Sequence, residues 1–348
     1  MNFQSDNASG VSPEILDALA RVNDGFAASY GADQTTSGLT ALFSNFFERE
    51  VTVFPVVTGT AANALSLAML TPPHGSVLCH RLSHISEHEC GAPEFYTGGG
   101  RLILLDGPGA KIEPSTVDRA IARIWRGSEH MMQPAALSLT QTTELGTVYR
   151  IDELETLCET ARRHDLSVHL DGARLANAMV HLGCSPAETT WKAGIDVLSF
   201  GATKNGAMAA EAVVFFDPER AADFLYRRKR GGHLISKMRF LSVQLEAYLT
   251  DDLWRRNAEH ANGLASRLGD GLAALPGVSL QSPVEANIVF VWMPGRLAEA
   301  LAAEGYLFHV MDEADGKSMV RLVTAFSSDA GDVDRFLETA KRLSLELR

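Results

Sequence analysis

Apolar residues follow two rhythms along this chain. Short, mostly apolar runs occur at 53–57, 135–140, 166–170, 195–198 and 212–216. Between them lie longer stretches whose apolar positions recur at helical spacing. Leu154, Leu157 and Ala161 share one face of such a stretch, behind an Asp152-x-x-Glu155 string that reads as a capping box. Ser12-Pro13-Glu14 reads as another helix start, with proline at the first helical position. Thr58-Gly59-Thr60 opens a further helix directly after the first apolar run. Short strands alternating with helices of this length predict an α/β fold, a mostly parallel sheet covered on both faces. Ligands in such folds bind beyond the carboxyl ends of the strands.

From about residue 249 the pattern changes. A basic stretch, Arg227-Arg228-Lys229-Arg230-Gly231-Gly232, leads into a long helical segment through Tyr248 and beyond. Strands are expected at 287–292 and 319–323, then a final helix carrying Val333, Phe336, Leu337, Ala340 and Leu343. The expected division is a large domain, 1–248, and a smaller α+β domain, 249–348.

Composition narrows the function classes. The chain of 348 residues carries 31 basic and 43 acidic side chains, a formal net charge of -12. A nucleic-acid binder needs a basic footprint, so that class is disfavoured. The four cysteines, at 79, 90, 158 and 184, form no CxxC pair and suggest thiols in a reducing compartment. The first residues show no basic and apolar signal pattern, and no apolar run is long enough to span a bilayer. A cytoplasmic protein that neither spans nor binds membranes is expected.

The candidate chemistry sits at the ends of the apolar runs. The run at 166–170 ends in Asp171-Gly172-Ala173-Arg174, and the run at 195–198 is followed by Lys204. A strand ending in an acid, then a strand ending in a lysine, is the layout that pyridoxal phosphate (PLP) chemistry needs. The amine forms a Schiff base with the cofactor aldehyde, and the acid keeps the pyridinium nitrogen protonated. An Asp171–Arg174 pair or a helix cap is the plainer account of that dipeptide. Gly59 and Thr60, at a strand-to-helix turn, offer free N–H groups to a phosphate. Arg321 is a cation within an apolar strand, suited to bidentate capture of a carboxylate. His84 can stack on a pyridine ring and relay a proton. Cys79, His84, His88 and Cys90 also raise the question of zinc, but no paired knuckle exists and no metal is expected. No strand leads into a GxGxxG turn, which argues against a nicotinamide enzyme.

Taken together, the chain resembles the L-threonine aldolases, PLP enzymes of the aspartate aminotransferase fold (fold type I). The resemblance runs over nearly the whole chain. It is carried by Ser5-Asp6, Tyr30-Gly31-x-Asp33, Thr58-Gly59-Thr60, His84-Ile85-x-x-x-Glu89-x-Gly91-Ala92, His169-Leu170-Asp171-Gly172-Ala173-Arg174, Lys204, the basic Gly-Gly stretch and Arg321-Leu322-Val323-Thr324. It implies that Lys204 bonds the cofactor, Asp171 meets the pyridinium nitrogen and His84 stacks on the ring. Gly59 and Thr60 would hold the phosphate, completed by Lys229 or Arg230 from a neighbouring subunit. Ser5, Tyr30 and Arg321 would surround the substrate, and Arg174 would lie near its carboxylate or the cofactor hydroxyl. The implied assembly is a homodimer or homotetramer with active sites at the interfaces. The implied reaction cleaves L-threonine and related β-hydroxy-α-amino acids to glycine and an aldehyde. The alternatives are β-elimination and transamination. Family members often carry a histidine in a Glu-Asn-Thr-His string, where this chain reads Ser138-Leu139-Thr140-Gln141-Thr142-Thr143. Gln141 is therefore expected at the substrate, without the ability to take a proton.

Overall fold

A computed structural model describes residues 1–347. Seven strands form the main sheet: β1 (Thr52–Val56), β2 (Gly75–His80), β3 (Arg101–Leu105), β4 (Gln133–Thr140), β5 (Ser167–Gly172), β6 (Val197–Gly201) and β7 (Glu211–Phe215). Their spatial order is β1-β7-β6-β5-β4-β2-β3. The run from β6 to β3 is parallel throughout, and β7 alone is antiparallel to both its neighbours. Central strands β2, β5, β6 and β7 are almost wholly buried, as strands covered on both faces must be. The edge strand β3 leaves Leu104 exposed, and neither β2 nor β3 was among the strands predicted above.

The helix Ile151–Arg163 buries Leu154, Leu157 and Ala161, as its periodicity predicted. Its cap lies earlier than the sequence suggested. Arg150 is the capping residue, and the Glu153 carboxylate accepts the Arg150 main-chain N–H at 2.7 Å. The long helical segment beyond residue 238 is two helices, Arg239–Leu249 and Leu253–Ala273. They are separated where Asp251 and Asp252 take positive φ. A helix cannot run through left-handed residues.

Four antiparallel strands form a second sheet in the order β10-β11-β9-β8. They are β8 (Ser279–Leu280), β9 (Ile288–Pro294), β10 (His309–Ala314) and β11 (Lys317–Val323). Their core combines β9 and β11 with helices Leu253–Ala273, Gly295–Ala303 and Ala330–Glu346. Phe3 belongs to this core, with its ring 5.2 Å from that of Phe336. The chain start is thus fastened to the second sheet and then leads residues 4–8 towards the rim of the first. No helix among the described residues is long and apolar enough to cross a membrane.

Candidate active site

The parallel strands β4, β5 and β6 end side by side. Thr140 pairs with Asp171, and Asp171 pairs with Ser199. Lys204 follows β6 in a tight turn, Thr203–Asn205. Gly201 makes this closeness possible. A Cβ there would stand 2.7 Å from the Ala173 main chain, so the loops after β5 and β6 can touch only if this residue is glycine. Lys204 Nζ makes no hydrogen bond or ion pair among the described residues. Burial first, and then the Arg174 charge, push its amine below the usual lysine range. A lysine with a lowered pKa and no acid to hold its proton is suited to nucleophilic chemistry.

Asp171 is buried and accepts two hydrogen bonds, from Asn63 Nδ2 at 2.8 Å and the Ala173 N–H at 3.0 Å. Asn63 lies on the helix Gly59–Leu70, one turn in from the Thr58 cap. Its Nδ2 also donates to Glu89 Oε1, at 2.8 Å. The same oxygen meets His84 Nδ1 at 2.8 Å. A continuous polar chain therefore links His84 to Asp171 through Glu89 and Asn63. The bond to Glu89 raises the His84 pKa, while burial raises that of Glu89. His169, one residue before the Leu170-Asp171 pair, is clamped between Ser138 Oγ and Ser199 Oγ, each at 2.9 Å. Burial brings its pKa down to about 4, so it stays neutral beneath the site.

The cationic side is built on a buried acid. Arg174 donates Nε and Nη2 to the two carboxylate oxygens of Asp6, at 2.7 and 2.8 Å. The expected alternative partner, Asp171, is not used. Asn287 Nδ2 adds a third bond to Asp6 at 2.9 Å. Burial works against the charged form of Asp6, but Arg174 outweighs it and the carboxyl sits below its ordinary pKa. Among the described residues Arg321 forms no ion pair, although the Asp6 charge reaches it. Its Nη1 reaches only the Gln4 carbonyl, at 3.4 Å. Burial and the neighbouring Arg174 bring its pKa to about 10. Residues 4–6 thus draw Ser5, Arg174 and Arg321 together, leaving unneutralised positive charge suited to a carboxylate.

Thr58 caps the helix after β1, accepting the Ala61 N–H at 3.2 Å. The N–H groups of Gly59 and Thr60 then have no acceptor in the helix. A Cβ on Gly59 would meet nothing within 4 Å, so the turn is open on that side. Glu211, at the start of β7, pairs in register with both Val56 and Gly201. Burial raises its carboxyl to about 7, and Lys204 lies in its field.

Gln141 follows β4, and its main-chain N–H donates to the Asp171 carbonyl at 2.8 Å, but its side chain turns to Tyr149. It is fully buried, and both ends of its amide are bonded to the Tyr149 main chain at 2.9 Å. Each polar atom of the amide is thus already engaged by the main chain. Lys229 and Arg230 are exposed. Lys229 Nζ lies 4.8 Å from the ring centre of the exposed Tyr30, and among the described residues nothing bonds these three to the Lys204 group. Asn63, Glu211 and Asn287 were not singled out from the sequence, and Asp6 stood out there only as the neighbour of Ser5. A lone acid opening the apolar run at 211–216 was the one visible signal among them.

A family model described as beta-eliminating lyase matches residues 2–295. The chain belongs to the beta-eliminating lyase family. It is 44% identical over 343 residues to the low specificity L-threonine aldolase of Pseudomonas aeruginosa, covering 99% of this chain and 97% of that protein. The solved structure of Leishmania major threonine aldolase superposes with a TM-score of 0.93 at 30% identity, covering 99% of both chains. Serine palmitoyltransferase from Sphingomonas wittichii shares the fold alone, with a TM-score of 0.74 at 14% identity. Within the family, this chain has the fold type I architecture that the resemblance implied, with the smaller sheet domain C-terminal.

Proposed function

We propose that this lyase is a PLP-dependent, low-specificity L-threonine aldolase. It would reversibly cleave L-threonine, L-allo-threonine and related L-β-hydroxy-α-amino acids to glycine and an aldehyde. The observation that carries the reading is the unpaired Lys204 amine at the strand rim beside the buried Asp171 carboxylate, in a chain this similar to named threonine aldolases.

The residues present fit PLP. Lys204 offers a free amine, Asp171 a carboxylate held by only two bonds, and Gly59 and Thr60 open N–H groups for a phosphate. Bound there, PLP supplies an electron sink for the bond broken at Cα. The chain does the rest. Arg174 and Arg321, with Ser5, orient the substrate carboxylate. Asp171 keeps a proton on the cofactor ring nitrogen. Glu89 holds the His84 ring, and His84 would take the proton of the substrate hydroxyl directly or through water.

The finer features belong to the same reading. A homodimer or homotetramer is supported by exposed Phe26, Tyr30, Met208 and Tyr226, and by Lys229 and Arg230 facing outward to serve a neighbour's phosphate. A cytoplasmic setting agrees with buried Cys79 and Cys158, whose thiols burial pushes up to about 12.

The test is product analysis. L-Threonine should yield acetaldehyde and glycine, and Lys204→Ala should lose the activity. A yellow holoenzyme should lose its visible band on borohydride reduction, with the modification on Lys204. Pyruvate and ammonia in place of aldehyde would identify a β-eliminating enzyme instead. Undiminished cleavage by the lysine variant would remove Lys204 from its role.

A further inference from the structure

Glu144 has no place in the roles above. It lies in the loop after β4, and its Oε1 accepts the main-chain N–H of His84 at 2.9 Å. Its Oε2 is closed to solvent and has no partner among the described residues. Ser83, the residue just before His84, makes no cap bond of its own. The acceptor for the His84 N–H therefore comes from across the rim. His84 is held twice, by its ring through Glu89 and by its main chain through Glu144.

The loop bearing Glu144 is well braced. Thr143 Oγ1 and Thr147 Oγ1 lie 2.8 Å apart, and both reach the Gly109 carbonyl. Gln141 ties the loop base to Tyr149. The braced loop holds the Glu144 carboxyl against the His84 N–H.

We propose that Glu144 is a positioning residue for His84, with its carboxylate form fixing the histidine for aldol cleavage and its protonated form loosening it. This rests on the PLP aldolase reading above. The groups facing Glu144 are His84 from the segment after β2, Asp171 at the end of β5, Cys79 on β2 and Tyr149 beyond the loop. Burial, and then the Asp171 charge, raise its carboxyl to about 7. The group is therefore divided between two states near neutral pH. A charged acceptor makes a hydrogen bond about twice as strong as a neutral one.

Glu144→Gln keeps the shape and an acceptor but cannot ionise. Its kcat should lie about five- to tenfold below the wild type at about pH 8.5, and within about twofold of it at about pH 6, with KM unchanged. Glu144→Ala, lacking any acceptor, should be slow at both pH values. Infrared titration of the holoenzyme gives a readout that needs no turnover. Two buried carboxyls, Glu144 and Glu211, should titrate at about 7, and Glu144→Gln should remove one of them. The His84 imidazole NMR signal should lose its matching inflection. A glutamine variant with the wild-type pH profile, or with both carboxyl bands and the His84 inflection intact, overturns the proposal. If the wild type released no aldehyde, the aldolase reading would fall, while the infrared and NMR titrations would still decide whether Glu144 governs His84.

Discussion

Asp6→Asn is the sharpest perturbation available, because it separates charge from shape at the residue that anchors the cationic side. Asp6 is 1% exposed, and the Arg174 side chain is 12% exposed, so solvent screens the pair little. Arg174 spends two donors on Asp6, and Asn287 a third. A hydrogen bond to a charged group contributes about 1.5–3 kcal/mol. Asparagine keeps one acceptor oxygen and loses the charge, so the expected cost is about 2–3 kcal/mol. Alanine keeps neither and leaves Arg174 buried and uncompensated, at about 3–5 kcal/mol. Urea unfolding of both variants, with Arg174→Ala and the double variant to close the cycle, measures the coupling. The pH dependence is an independent check. The folded pKa of Asp6 lies below its unfolded value of about 3.9, so its stabilisation is complete above that pH and is lost as acid protonates it through the lower folded value. The gap between wild type and Asp6→Asn should therefore hold at neutral pH and narrow only below about pH 4. Asp6 also raises the Lys204 pKa, so removing its charge should let that amine fall further. The rate of amine modification in cofactor-free protein, followed against pH, reads this directly. An asparagine variant within about 0.5 kcal/mol of wild type, with an unmoved lysine titration, would refute the pair as the anchor of the site.

Asn63→Leu should destabilise by about 2–4 kcal/mol, because it strips a donor from two buried carboxylates, Glu89 and Asp171; chemical denaturation measures it. Gln141→Ala should lower the melting temperature and leave KM for L-threonine within about twofold of wild type, since the amide holds Tyr149 and not a ligand. A KM raised tenfold with unchanged stability would restore Gln141 to the substrate. His169 has a folded pKa of about 4 against an ordinary 6.5, so its neutral form contributes stability that is present above 6.5 and lost as pH falls towards 4. The total is about 3 kcal/mol, and His169→Gln should flatten that part of the stability curve.

The sequence by itself carried five of the seven strands of the large sheet and the two ends of its chemistry. Strands β5 and β6 are short apolar runs, each followed within a few residues by the functional group. Local pattern therefore located Asp171 and Lys204 before any contact was known. The Thr58 cap was legible for the same reason, since capping is decided within one turn. What the pattern missed depends on residues far apart in the chain. Asp6 meets Arg174 across 168 positions and Asn287 across 281, and no periodicity encodes such a meeting. Gln141 looked like a ligand group because its position in the string was suggestive, and only the fold of the loop onto Tyr149 consumed its amide. Glu144 gave no signal at all, because an acid in a polar loop reads as solvated until tertiary structure buries it. Hydrophobic periodicity specifies which strands exist and where they end. Which polar groups are left without water and must find one another is decided only when the strand ends and the first residues of the chain converge on one rim.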